Sequence, residues 1–234
     1  MDKLLWINED ISFMFRANIV EYDMQTASLA VSERYKLLDP ILLEQLRNSP
    51  KHDRVVKIGL MQRDNKEFSD RMLQGIIDTR QEFLKQNHVD EDDILALHSD
   101  AIVFNMQSPR INTSVDNVKF IRKGQWTSYI QYEGVEIYHN DGIIDIKGIP
   151  KDISKQHTLG MIKHLQKIFG YLEACDDTVL SYIRKFQKRY YQDKLQEFYY
   201  KSFPKVGEYK TNNLKFLAFM AQVIAMDMRE WWYR

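Results

Sequence analysis

The stretch DDILALHSDAIVFN, residues 92 to 105, sets an apolar run on each side of His98, Ser99 and Asp100. That is the pattern of a tight β-hairpin with a carboxylate at its crest. An Asp in a turn ordinarily bonds its own backbone, so this one by itself carries no chemistry. A second acid changes its meaning. Residues 17 to 23, ANIVEYD, form a short β-favouring run that ends in Asp23. If the Asp23 strand lies beside the Asp100 hairpin in one sheet, two carboxylates meet at one edge, and such a pair is a divalent-metal site. Hard cations such as Mg²⁺ or Mn²⁺ take oxygen ligands. Two ions held by shared carboxylates stabilise the attacking and leaving oxygens of an in-line phosphoryl displacement.

The elements that must position these acids are readable from apolar spacing. After Asp23, MQTASLAVSERYKLLDPILLEQLRNS has helical periodicity that breaks at Asp39-Pro40 and resumes. Residues 68 to 87 predict a helix capped by Ser69, with Met72, Leu73, Ile76, Ile77, Arg80 and Leu84 on or near one face. A strand pair follows at 94 to 104. VKFIRKGQWTSYIQYEGVEIYH and DGIIDIKGIP then alternate apolar and polar residues around Glu133-Gly134 and Asn140-Asp141-Gly142 turns, as an antiparallel meander does. Beyond Pro150 come three amphipathic helical stretches, TLGMIKHLQKIFGYLEA, TVLSYIRKFQKRYYQDKLQEFYYKSF and NNLKFLAFMAQVIAMDMREWWYR. The expected class is α+β, an antiparallel sheet with packed helices over residues 1–150 followed by a helical region over 151–234.

Composition narrows the function. With 44% hydrophobic residues in 234, the chain can bury a core. Thirty-three Lys plus Arg balance thirty-three Asp plus Glu, so any attraction to nucleic acid must come from local charge. Cys175 is the single cysteine and no Cys/His zinc spacing occurs, which excludes a disulfide framework and points to a reducing compartment. Nine glycines and five prolines favour long regular elements, and no phosphate-binding Gly-rich loop or dinucleotide fingerprint is present. No signal peptide or bilayer-length apolar run is found, so a soluble cytoplasmic protein without membrane contact is expected.

With these residues in view, IVEYDMQTASLAV resembles motif A of palm-type polymerases, closest to family B DNA polymerases of the protein-primed phage kind. There a strand-ending Asp precedes a turn into a helix. LHSDAIVF resembles their motif C hairpin. RKGQWTSYIQYEG followed by IDIKGIPKD is similar to the segment that leads from palm to thumb. The resemblance covers most of residues 17 to 155. It implies a palm-like sheet with reduced fingers at 1–150, a thumb-like helical part at 151–234, and a minimal template-directed nucleotidyltransferase. On that reading Asp23 and Asp100 hold Mg²⁺ or Mn²⁺, Arg54 or Lys57 binds the triphosphate of a nucleotide, and Lys123 contacts primer-template backbone. A compact polymerase of this kind would suit a virus or mobile element. Another replication protein would supply the missing domains.

Three departures qualify the implication. His98 stands where the family's hairpin carries its first acid. Ser28, five residues after Asp23, falls where the family has a Tyr that excludes the ribose 2′-hydroxyl, which implies weak discrimination between ribo- and deoxyribonucleotides. There is no exonuclease domain. A catalytically degenerate palm that binds nucleic acid or a replication or transcription protein is the alternative, and a helix-rich interaction protein is a third.

The helical region offers its own surface. YIRKFQKRYYQDK sets Arg184, Lys188 and Arg189 among aromatics, so one face could contact phosphates while Tyr182, Phe186 and their neighbours either stack on bases or form the local core. His157, His164 and Cys175 have no partner at a catalytic or metal spacing, and Met220, Met226 and Met228 read as core filling.

Overall fold

The computed structural model describes residues 3–149, 155–173, 178–192, 194, 215–216 and 218–222. In chain order the elements are β1 (Leu5–Ile7), β2 (Phe13–Met14), β3 (Ile19–Met24), α1 (Ala27–Arg34), α2 (Pro40–Arg47), α3 (Lys51–Asp64), α4 (Lys66–Gln86), β4 (Ile94–His98), β5 (Ala101–Asn105), β6 (Ser114–Val115), β7 (Val118–Trp126), β8 (Ser128–Tyr132), β9 (Val135–Asn140), β10 (Ile143–Lys147), α5 (Lys155–Glu173) and α6 (Thr178–Tyr191). The class is α+β, as expected.

Two compact units emerge. One holds residues 1–8 and 18–125, the other 9–17 and 126–234. The boundary expected near residue 150 separates strands from helices but not these units. β8 and β9 turn Ile130, Val135 and Ile137 into a core shared with Leu165, Ile168 and Phe169 of α5 and with Ile183 and Phe186 of α6, so strands and helices on either side of Pro150 bury one another. The expected single meander is likewise divided. β7 joins the first sheet, of order β1-β4-β5-β3-β7-β6, and β8 to β10 join the second, of order β10-β9-β8-β2.

In the first unit, β3 alternates Val20, Tyr22 and Met24 toward α4 with Glu21 and Asp23 on the other face, the period of two that a strand imposes. Phe83 of α4 stacks on Phe120 at 4.1 Å between ring centroids and sits 5.6 Å from Tyr22 and 6.4 Å from Phe104. This aromatic cluster ties the helix to β3, β5 and β7 at once.

The helix signals were partly misread. α4 starts three residues before Ser69, because the Asn65 side chain accepts the Phe68 N–H at 3.0 Å and caps it there. α1 stops at Arg34, ahead of Asp39-Pro40, since Lys36 adopts a left-handed φ of 51° that ends the helix. Asp39 does cap α2, accepting from Leu42 N at 2.9 Å with Pro40 in the first turn. β1 and β2 were not foreseen, being too short for periodicity to register. The Glu133-Gly134 and Asp141-Gly142 turns have both central residues at positive φ, and they set the register Tyr132↔Val135 and Asn140↔Ile143. Tyr190, Cys175, His157 and the Met226–Met228 and terminal aromatic readings fall outside the described residues or side chains.

α1 crosses α4 at Gly75, where an added Cβ would come within 2.6 Å of Val31 Cγ1 and 3.0 Å of the Tyr35 ring. Gly75→Ala should therefore lower stability by about 1–2 kcal/mol despite its better helix propensity, measured as a lower urea midpoint. An unchanged or raised midpoint would show that the crossing has slack.

Candidate functional site

The strand that ends in Asp23 does lie beside the hairpin that carries Asp100. β3 pairs antiparallel with β5 in the register Asp23↔Ala101, and β5 pairs with β4 in the register His98↔Ala101. Cross-strand partners share a face, so His98, Ala101 and Asp23 form one row on the side away from α4. The Met24 N–H donates to the Asp100 carbonyl at 3.1 Å, closing the gap between the end of β3 and the crest of the hairpin. Ser99 and Asp100 are the two residues of that crest.

Electrostatics report the same proximity. Burial first, and then the negative charge of Asp100, push the Asp23 carboxyl above the ordinary aspartate range, while Lys123 pulls it back. The Lys123 ammonium of β7 stands 3.5 Å from Asp23 Oδ2, with the Asp23 side chain 26% exposed. Two neighbouring carboxylates, with Lys123 beside them, offer oxygen ligands of the kind a hard cation takes. Among the described residues no cluster of three or more His, Cys, Asp or Glu converges on a metal-sized site. Asp23 and Asp100 are the residues of this edge that could hold such a cation, as a set of two carboxylates.

Just past Asp23 the chain turns through Gln25 and Thr26 into α1, with Gln25 N–H donating to Lys119 O at 2.8 Å. This turn walls a cavity of about 230 Å³ whose lining includes Arg47, Arg54, Asn117 and Lys119. Arg47 is committed to Glu33, and Asn117 Nδ2 donates to the same carboxylate at 2.8 Å. Among the described residues Arg54 and Lys119 have no carboxylate partner, so they are the cations free to meet an anion there. Lys57, the other cation expected on α3, is exposed and does not line the cavity. Ser28 is half-buried in the first turn of α1, its carbonyl accepting from Ser32 Oγ at 2.6 Å, and it lies outside the cavity lining.

Arg184, Lys188 and Arg189 are exposed on α6, in the second unit. On the opposite face of that helix Val179, Ile183 and Phe186 are buried, and Tyr182 donates to or accepts from His164 Nδ1 at 3.1 Å. Its described aromatics are therefore core, and the cations form a separate surface. His164 is buried, and burial pulls its imidazole down to about 4, so it stays neutral near pH 7.

Two residues of the site escaped sequence reasoning. Lys119 reaches the cavity only because β7 pairs with β3 across a long separation. Arg80 is 1% exposed and reaches the hairpin crest from α4. Its signal was present as a charged residue within an apolar stripe.

Fold and site together define an α+β protein with Asp23 at the end of one strand, Asp100 at the crest of the neighbouring hairpin, and a cation-lined cavity beside the turn that follows Asp23. The chain belongs to the Bacteriophage PBS1 gene 130 protein family, whose family model matches residues 1–232. No curated protein matches the chain. Among the described residues no helix is long and apolar enough to cross a membrane.

The raised Asp23 carboxyl has a sign for stability. The folded state binds that proton more tightly than the unfolded chain does. Ionised Asp23 therefore subtracts from stability above its folded pKa, and the cost fades as pH falls below the ordinary aspartate value of about 3.9. Asp23→Asn should raise the urea midpoint at pH 7, and the gain should shrink toward zero as the titration is repeated down to pH 3.5. A lower midpoint at pH 7 would mean that the Lys123 ion pair outweighs burial and repulsion.

Proposed function

We propose that the protein is a minimal, phage-encoded nucleotidyltransferase of the palm type, acting on nucleoside triphosphates and a primer-template. The observation that carries this reading is the adjacency of Asp23 and Asp100, which pairs the strand resembling motif A with the hairpin resembling motif C. In this reading the two carboxylates hold Mg²⁺ or Mn²⁺, and the bound ion supplies charge neutralisation at the reacting phosphate and acidifies the attacking hydroxyl.

The chain's own residues do the rest. Arg54 and Lys119, in the cavity beside the Gln25-Thr26 turn, orient the triphosphate. Lys123 leaves Asp23 when a cation arrives and turns its ammonium to the primer or template backbone. Ser28 leaves space beside the sugar, so ribonucleotides are accepted along with deoxyribonucleotides. Arg184, Lys188 and Arg189 offer a phosphate-contacting surface on the second unit. The protein would act in the host cytoplasm, with another replication protein supplying what its small fingers lack.

A second reading is favoured by one observation. His98 occupies the row where a further acid would sit, which leaves a two-carboxylate set. In this reading the palm has lost catalysis and binds nucleic acid or a replication or transcription protein.

Extension of a labelled primer-template with Mg²⁺ or Mn²⁺, in parallel ribo- and deoxynucleotide reactions, tests both. Asp23→Ala and Asp100→Ala should each fall below about one hundredth of wild type, since changes merely next to metal ligands cost about 10- to 100-fold. Extension that survives Asp100→Ala would remove the polymerase reading. Duplex binding without extension would favour the degenerate palm.

In the same assay Ser28→Tyr should depress ribonucleotide incorporation more than deoxyribonucleotide incorporation. Equal effects on the two would show that this position does not face the sugar.

A further inference from the structure

The crest of the β4–β5 hairpin is built from a residue ill suited to it. His98 pairs with Ala101, so Ser99 and Asp100 alone make the turn, and Ser99 sits at φ 55°. A two-residue turn with its first central residue at positive φ ordinarily places glycine there, because a side chain clashes in the left-handed region. Contacts from outside the turn can offset that cost.

That support comes from α4 and from the segment at β1. Arg80 is 1% exposed, and its guanidinium donates through Nη1 to Ser99 O at 2.6 Å and Leu4 O at 2.9 Å, and through Nη2 to Lys3 O at 2.5 Å. The Ser99 N–H donates to Leu4 O at 3.1 Å. One planar fork thus gathers three carbonyls, one of them in the crest, which a single ammonium cannot match in geometry. No hydrogen bond from Arg80 reaches a carboxylate among the described residues, so its buried charge is balanced by backbone dipoles and, through space, by Asp100. A buried charge of this kind is an expensive way to brace a turn if bracing is its only purpose.

We infer that Arg80 is the positioning residue of the carboxylate pair: by gripping Ser99 O together with Lys3 O and Leu4 O, it holds the strained crest so that Asp100 stays beside Asp23. The inference deepens the metal-binding reading and rests on it only for the ligand that the pair receives. Its geometric core is independent of that ligand. The Met24 N–H, which bonds the Asp100 carbonyl, is the local reporter of whether the crest is in place.

The test uses the full chain with Arg80→Met, which keeps bulk and loses every donor, and Arg80→Lys, which keeps a cation with fewer donors. Amide hydrogen exchange should speed up at Met24 and Ser99 about tenfold more than at the interior amides of α4, in the same unit, in Arg80→Met, with Arg80→Lys in between. Mn²⁺ titration followed by water-proton relaxation should show a dissociation constant about tenfold weaker in Arg80→Met and less affected in Arg80→Lys. Asp23→Asn serves as the control that locates the ion.

Exchange at Met24 and Ser99 that rises no more than at the interior amides of α4 would overturn the inference, because Arg80 would then be only a packing residue. Mn²⁺ binding as tight in Arg80→Met as in wild type would overturn it as well. If wild type itself binds no Mn²⁺, the metal reading fails, and the exchange pattern alone decides on Arg80. If Arg80→Met does not fold, the Arg80→Lys exchange pattern decides.

Discussion

The register between β3 and β5 is the constraint from which the site follows. Asp23 faces away from α4 because Val20, Tyr22 and Met24 face toward it, and a strand has no other choice of sides. A slip of one residue would carry Asp23 into the cluster of Phe83, Phe104 and Phe120 and turn Tyr22 out of it. The aromatic core thus fixes the chemistry of the opposite face. It does so from the other side of the sheet, since rings packed about 4 to 6 Å apart tolerate no other alignment.

Against this fixed frame the charges are arranged in a way that hydrophobic packing would not select. Asp100 sits close enough to Asp23 to disturb it, Lys123 offsets that from the exposed side, and Arg80 lies buried behind the crest. The Lys123 pair is half in solvent and so is worth at most about 1 kcal/mol. Burial pulls the Arg80 guanidinium down to about 10, yet it stays charged near pH 7. The crowding of Asp23 by Asp100 and the burial of Arg80 are costs that a chain selected for stability alone would lose by substitution. Their clustering at one sheet end, together with a serine at positive φ, marks the place where the fold gives up stability.

How much of this was legible differed by residue. The two acids were legible because each ends a strand or crowns a turn, and turn chemistry is local. Their adjacency was a conditional in the sequence and became a register in the structure. The Asp39-Pro40 break and the Glu133-Gly134 turn were legible for the same reason, though the cap that Asp39 makes on α2 was not read. Ser69 was misjudged because Asn65 offers an equally good oxygen one turn earlier, and only tertiary packing chooses between caps. Lys119 and Gln25, apposed through a β3–β7 pairing nearly a hundred residues long in sequence, left no local trace. The separation of β7 from β8 was hidden as well. Both strands alternate correctly, and the difference lies in which helices cover them, Phe120 facing α4 and Ile130 facing α5 and α6.

A site with two carboxylates has a consequence that one with three does not. Under the proposed reading, a divalent ion at Asp23 and Asp100 has most of its shell still to fill, and the available oxygens are water and the phosphates of a nucleotide lodged near Arg54 and Lys119. Ion and nucleotide then each strengthen the binding of the other by the same factor, because coupling between two ligands is reciprocal. Lys123 enters the same balance from the opposite side. While the site is empty its ammonium shields Asp23, and it must be displaced before the carboxylate can accept an ion. Under that reading the resting charge pattern disfavours an ion arriving alone and favours one that arrives with phosphates.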